Sequence, residues 1–179
     1  NPNSSEKEGG SDSKKNSSSQ ANLDPVRIKS HSLIEQQPLQ FGDGVIWCTE
    51  NGRLTAIEPA EKGWERHEFF LRDNPNGPVA VHDAVAFAAT EKGELVRFED
   101  GPRGLRLTWR FLLETSLHPN QKRPQLMVHN GILLVSLGEE GIAAHNSSTG
   151  DRLWKTSLQA KFLACIGSHL WCYDTQNRI

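Results

Sequence analysis

The chain has 179 residues, enough for one domain of ordinary size with its own core, and its formal net charge is −2. This near-neutral balance excludes binding to nucleic acid or to an anionic membrane by charge alone. The apolar runs, of which Val85–Ala89 is typical, fall far short of the roughly 20 residues that a membrane-spanning helix needs.

The first 24 residues consist mainly of Ser, Asn, Gly, Lys and Glu and contain no aromatic side chain. Such a segment buries too little apolar surface to offset the entropy lost on ordering, so residues 1–24 are predicted to be a disordered linker. Residues 25–179 are predicted to form the folded segment. A tether of this kind, with no initiator Met, favours a piece of a longer protein with an anchor or another domain upstream.

From Gln36 onward, short apolar runs alternate with turns that contain Gly, Asn or Asp. No segment keeps an apolar stripe at helical spacing, which indicates little helix. Residues 124–158 are predicted to contain four short strands, and this content is typical of one propeller blade. The predicted strands are Gln125–His129, Ile132–Leu137, Ile142–Asn146 and Arg152–Leu158.

The four-strand unit recurs along the chain, and a period of about 40 residues is typical of propeller blades. Each copy opens with a proline, has a glycine in the same turn and closes with a tryptophan. Glycine permits the positive φ of tight hairpins, and tryptophan offers a large apolar surface for packing between blades. The predicted blades are 36–76, 77–122, 123–158 and, in part, 159–179. The repeated residues are Pro38, Pro78 and Pro124, then Gly52, Gly93 and Gly141, then Trp64, Trp109 and Trp154.

The third copy contains the segment Ala144-His-Asn-Ser-Ser-Thr-Gly-Asp-Arg-Leu-Trp154. It resembles the tryptophan-docking motif A-x-D-x-x-T-G-K-x-x-W of PQQ-like propellers, the quinoprotein alcohol dehydrogenase-like repeat family. Asn146 stands where the family usually has Asp, and Asp151 stands where it has Lys. The residues that match are Ala144, Thr149, Gly150 and Trp154.

The resemblance implies an all-β propeller of four-stranded blades in which the tryptophan docks between neighbouring blades. The first and second copies are degenerate, and Trp64 and Trp109 are the residues predicted to dock there. Similar proteins have seven or eight blades, so three blades and the start of a fourth predict an incomplete propeller whose remaining blades are missing from the chain.

The residues themselves indicate no catalytic, cofactor-binding or metal-binding group. Asp83 and Asn130 fall at equivalent positions of successive copies, which is typical of a structural turn. His67 and His145 belong to a scattered set of histidines without metal-ligand spacing, and His145 lies inside the docking motif. No adjacent cysteine pair of the kind found in PQQ dehydrogenases occurs.

The segment between the second and third copies is the longest excursion between blades, and loops at a propeller rim often carry binding. Its basic side chains are interpreted as a partner-binding rim loop. They are Arg103, Arg106, Arg110, Lys122 and Arg123.

The resemblance leaves three functions open. The first is a non-catalytic scaffold similar to BamB-type propellers, which binds a protein partner outside the cytoplasm and needs no cofactor. The second is part of a quinoprotein dehydrogenase that binds PQQ and Ca²⁺. The third is a sensor propeller tethered to a membrane anchor and a signalling domain. We expect the first, with no binding of nucleic acid.

Overall fold

The computed structural model describes residues 32–34, 36–102, 104–113 and 123–174. Apart from turns and one short 3₁₀ turn at Gly138–Glu140, these residues form β-strands. The strands are β1 (Leu39–Phe41), β2 (Gly44–Cys48), β3 (Arg53–Ala60), β4 (Gly63–Phe70), β5 (Ala80–His82), β6 (Val85–Ala89), β7 (Glu94–Glu99), β8 (Arg106–Leu112), β9 (Gln125–His129), β10 (Ile132–Ser136), β11 (Ile142–Asn146), β12 (Arg152–Thr156), β13 (Ala160–Ile166) and β14 (His169–Asp174).

The strands form separate antiparallel sheets whose order in space follows their order in the chain. The first, second and third sheets contain β1–β4, β5–β8 and β9–β12, and the fourth described sheet contains β13 and β14. Because each strand pairs with the next through a short turn, each four-stranded sheet is a simple meander. The predicted all-β fold class, an incomplete propeller of four-stranded blades, is confirmed.

The turns explain why these strands pair in this way. Asp83 and Asn130 adopt positive φ angles of 54° and 48° between the first and second strands of their sheets. Asp and Asn tolerate this left-handed conformation better than other side chains, so a tight hairpin forms at both places. The strands predicted over Gln125–His129 and Ile142–Asn146 have the same bounds in the structure.

The hydrophobic core consists of layers between successive sheets. One cluster joins the first and second sheets, a second joins the second and third, and a third joins the third and fourth. The second strands of the second and third sheets, β6 and β10, are therefore covered on both faces. This explains why β6 and β10 are continuous apolar runs rather than alternating ones. Each sheet depends on its neighbours for burial, as in other repeat architectures.

The first strands of the sheets converge, and the last strands lie outside. β1 contacts β5, β5 contacts β9, and β9 contacts β13. A hydrogen bond from the Gly42 amide to the Asp83 carbonyl, 2.9 Å long, links the first two sheets near these inner strands. The outer strands β4, β8 and β12 are edge strands of their sheets, and they carry the side chains discussed below.

The linker predicted over residues 1–24 lies outside the described residues, so the division into linker and folded segment stays a prediction. Within the described part of the chain, no helix is long and apolar enough to cross a membrane.

Candidate functional site

The docking motif of the third sheet forms a closed turn between β11 and β12. The Asn146 side-chain oxygen accepts hydrogen bonds from the amides of Ser148 and Thr149, at 2.9 and 3.2 Å. Asn146 thus performs the local role expected of the family's Asp, because both residues cap a turn through a side-chain oxygen. The Gly150 amide donates to the Asn146 carbonyl at 2.8 Å. Gly150 itself has a φ of 82°, which favours glycine.

Trp109 of β8 packs on this turn and joins the second sheet to the third. Its indole Nε1 donates to the Ser147 carbonyl at 3.3 Å. A Cβ added at Gly150 would lie 3.4 Å from the indole Cδ2 and 3.0 Å from Cε1 of Phe111. Because Gly150 has no side chain, the rings of Trp109 and Phe111 can pack directly against the turn. Trp109 and Phe111 stack with their centroids 5.2 Å apart, so the contact is a packed aromatic junction.

The strand register identifies the equivalent residues in the other sheets. Trp154 lies opposite Ala144, and Trp109 lies opposite Arg97. In the first sheet, His67 lies opposite Ala56, whereas Trp64 lies opposite Pro59 near the hairpin turn. By register, His67 occupies the docking position of the first sheet, and the docking role predicted for Trp64 stays a prediction.

The pairing of the last two strands also differs between the sheets. The second and third sheets each have a bulge between their last two strands, whereas β3 and β4 pair without one. The spacing from the Ala56 position to the docking residue therefore changes. Trp64 is 38% exposed on β4, and Trp154 is 43% exposed on β12. Of the three predicted docking tryptophans, only Trp109 is packed on a turn of the next sheet within the described residues.

His67 repeats the geometry of Trp109 at the junction between the first and second sheets. A Cβ added at Gly104 would lie 3.0 Å from the His67 Cβ and closer still to its ring. Gly104 has a φ of 94° and lies in the turn before β8, as Gly150 lies before β12. The imidazole of His67 thus packs on a glycine turn at the first junction, as the indole of Trp109 does at the second.

Two carboxyl groups flank His67, and a third lies near one of them. Its Nε2 lies 2.7 Å from Oε1 of Glu58 and 4.0 Å from Oε1 of Glu65. Glu58 and Glu65 are direct cross-strand partners on β3 and β4. The Asp100 carboxyl, which follows β7 in the second sheet, lies close enough to Glu58 to influence its ionisation. Partial burial, followed by the charge of Asp100, raises the pKa of Glu58, although His67 opposes the shift.

His145, in contrast, has a packing role. It is buried within the docking motif, and its Nδ1 lies 3.0 Å from the Gly150 carbonyl. Its ring centroid is 5.0 Å from that of Phe111. Among the cysteines, burial raises the pKa of Cys165 and Cys172, which favours the protonated thiol over the thiolate.

The predicted rim loop is only partly described. Arg103 and Lys122 lie outside the described residues. Arg106 and Arg110 are exposed on β8, and Arg106 donates to Glu99 at 2.7 Å. Arg123 precedes the inner strand β9 and lies beside Gly77, whereas β8 is the outer strand. The structure therefore places Arg106 and Arg110 on one edge and Arg123 at the inner margin.

No family model and no curated protein sequence matches the chain. Among solved structures, BamB from Moraxella catarrhalis is similar with a TM-score of 0.56 and 18% identity, covering 74% of this chain and 38% of BamB. BBS1N, solved in complex with ARL6DN, has a TM-score of 0.53 and 16% identity, covering 82% of this chain and 50% of BBS1N. A europium-containing methanol dehydrogenase has a TM-score of 0.48 and 16% identity, covering 65% of this chain and 23% of the enzyme.

The chain thus has the fold of PQQ-like β-propellers, and the expected resemblance is confirmed at the level of fold. It spans half or less of the length of these similar structures. Because these similar structures share 18% identity or less with the chain, they establish its fold alone.

Sequence reasoning missed the cluster around His67. Glu65 and His67 are two residues apart on one strand, and side chains at this spacing share a face. Glu58 joins them only because β3 and β4 form a hairpin with the two-residue turn Glu61-Lys62. Recognition of that hairpin would have brought the three side chains together, whereas a search for metal-ligand spacing along the chain does not.

Proposed function

We propose that this chain is part of a non-catalytic PQQ-like propeller that acts as a protein-binding scaffold, in an extracytoplasmic setting and without a cofactor. The setting rests on the family resemblance of the docking motif. The binding role rests on the outer edge of the second sheet, formed by β8.

β8 combines three features that suit a protein partner. It is an edge strand, so its outward backbone groups are not paired within its own sheet. Arg106 and Arg110 give it exposed positive charge. Leu112 at its end is 66% exposed. Arginine is enriched among the residues that dominate protein interfaces, and Leu112 adds apolar surface beside Arg110. This combination on an open strand edge carries the proposal.

The polar residues of the motif support the non-catalytic part of the proposal. Asn146 caps a turn, and Thr149 donates to the Asp151 carboxylate at 2.6 Å within the same turn. His145 contacts the Gly150 carbonyl. These groups serve the packing of sheets, so they do not converge on a substrate. A similar propeller, BBS1N, was solved in complex with a protein, ARL6DN.

Site-specific photo-crosslinking tests this function. A photoreactive residue is placed at Leu112 in the cells that produce the protein, and at the exposed Phe70 of β4 as a matched position on another outer edge. We expect a defined protein to crosslink from position 112 and not from position 70. Arg110→Glu should abolish the crosslink, whereas Arg66→Glu on β4 should leave it unchanged.

Two results would contradict the proposal. The first is the absence of any defined crosslinked protein that depends on Arg110. The second is a rise in melting temperature on addition of PQQ with Ca²⁺, because a ligand that binds only the native state stabilises it. The second result would favour the dehydrogenase class.

A further inference from the structure

The junction between the first and second sheets contains an unusual concentration of acidic groups around one imidazole. Glu58 and Glu65 are direct cross-strand partners, and like charges in this arrangement destabilise a sheet. The Asp100 side chain adds a third carboxyl group at Glu58. A protonated His67 offsets at most one negative charge.

The His67 Nε2 atom is a second and independent observation. It is buried, and it makes no hydrogen bond of acceptable geometry with the described residues, although it lies 2.7 Å from Oε1 of Glu58. The contact is therefore a close ion pair in which the N–H is poorly aligned with the carboxylate. A cation between the ring nitrogen and the carboxylates would use the nitrogen lone pair and offset the carboxylate charge, which the poorly aligned contact does only in part.

We propose that Glu58, Glu65 and His67 bind one divalent transition-metal cation, of which Zn²⁺ is the best match, and that this ion links β3 to β4 on the face of the first sheet that packs against the second. One ligand atom from each of the three side chains can be chosen such that all lie within 4.8 Å of one another. Nitrogen and oxygen ligands lie about 2.0–2.2 Å from a tetrahedral Zn²⁺, so two of its donors are about 3.3–3.6 Å apart. His67 Nε2 lies 2.7 Å from Glu58 Oε1 and 4.0 Å from Glu65 Oε1, so both carboxylates would move by about half an ångström to hold the ion.

Glu65 is the most exposed of the three ligands, so the movement needed to bind the ion is easiest for its side chain. The Glu65 side chain is 63% exposed, so it can rotate toward the ion without disturbing the core. The backbones of Glu58 and His67 are held in place by the sheet register, and the His67 ring by its packing against Gly104. One imidazole with two carboxylates is a donor set that suits Zn²⁺, whereas Ca²⁺ and Mg²⁺ prefer oxygen ligands alone.

Calorimetric titration of the chain with Zn²⁺, after treatment with EDTA, tests the site. We expect one saturable site in the unaltered chain. Glu65→Gln, at an exposed position, should keep the fold and weaken Zn²⁺ binding by about tenfold or more, because even outer partners of metal ligands contribute about that much. His67→Gln should weaken it similarly. Co²⁺ in place of Zn²⁺ should give visible absorption bands typical of nitrogen and oxygen ligands.

Matched controls separate this site from other groups that bind zinc. Glu68→Gln changes a carboxylate on the same strand but on its other face, and His82→Gln changes an exposed histidine outside the cluster. Both should bind Zn²⁺ as the unaltered chain does. The proposal is overturned if no saturable binding occurs, or if Glu65→Gln binds with unchanged affinity. It is also overturned if Cys165→Ser abolishes binding, because the ion then lies on thiols.

Discussion

The two described docking junctions of this propeller share a geometry but differ in chemistry. Between the second and third sheets, Trp109 lies on the Gly150 turn among aromatic rings. Between the first and second sheets, His67 lies on the Gly104 turn among carboxyl groups. Both junctions thus place a ring on a glycine turn, but the ring is the largely apolar indole of Trp109 in one and the polar imidazole of His67 in the other. The apolar junction is suited to stability alone, and the polar junction is available for a ligand.

The largest expected effect comes from truncating the apolar junction. Trp109→Ala should destabilise the chain by about 3 kcal/mol, near the lower end of the range for tryptophan truncation in a core, because Trp109 is only partly buried. It also removes the hydrogen bond to the Ser147 carbonyl. Trp64→Ala is the matched control, and its loss should be below about 1 kcal/mol because that indole is more exposed. Urea unfolding measures both. Equal losses would support Trp64 as a docking residue.

A smaller effect is expected from closing the glycine turn of the polar junction. Gly104→Ala places a Cβ against His67 at a φ of 94°, and strain with overpacking should cost about 2 kcal/mol. Gly63→Ala is the matched control, because Gly63 also has a positive φ, 101°, but a Cβ there would meet nothing within 4 Å. Its loss should reflect strain alone, at about 1 kcal/mol. If the two variants unfold at the same urea concentration, His67 does not pack on Gly104.

The sequence was sufficient for the fold and for one junction. Turn residues such as Asn130 and the Thr149-Gly150 pair act locally, so their spacing predicted the strands of the third sheet. The first junction depends instead on the register of β3 and β4, which places His67 opposite Ala56 and Trp64 three residues nearer the hairpin turn. The carboxyl cluster depends on the same register and on Asp100 from another sheet, which no local pattern encodes.

The smallest expected effect concerns Glu99, which neighbours the polar junction and behaves oppositely to Glu58. Its hydrogen bond with Arg106, followed by its contact with Arg97, lowers the pKa of Glu99 from its ordinary value of 4.5, even though burial opposes the shift. A lowered pKa in the folded state means that the ionised form favours folding. The stabilisation is therefore present above the ordinary pKa and is lost as the pH falls through the folded-state value.

This stabilisation should be below about 1 kcal/mol, because Arg106 is largely exposed and such ion pairs are weak. Arg106→Gln should reduce the loss of stability on acidification below the ordinary pKa, whereas Arg66→Gln in the first sheet should leave the contribution of Glu99 unchanged. Urea unfolding at several acidic pH values, at low ionic strength, measures the difference. An identical pH dependence in the unaltered chain and Arg106→Gln would show that Arg106 leaves the ionisation of Glu99 unaffected. Arg106 would then be available for a partner at the β8 edge without disturbing the polar junction.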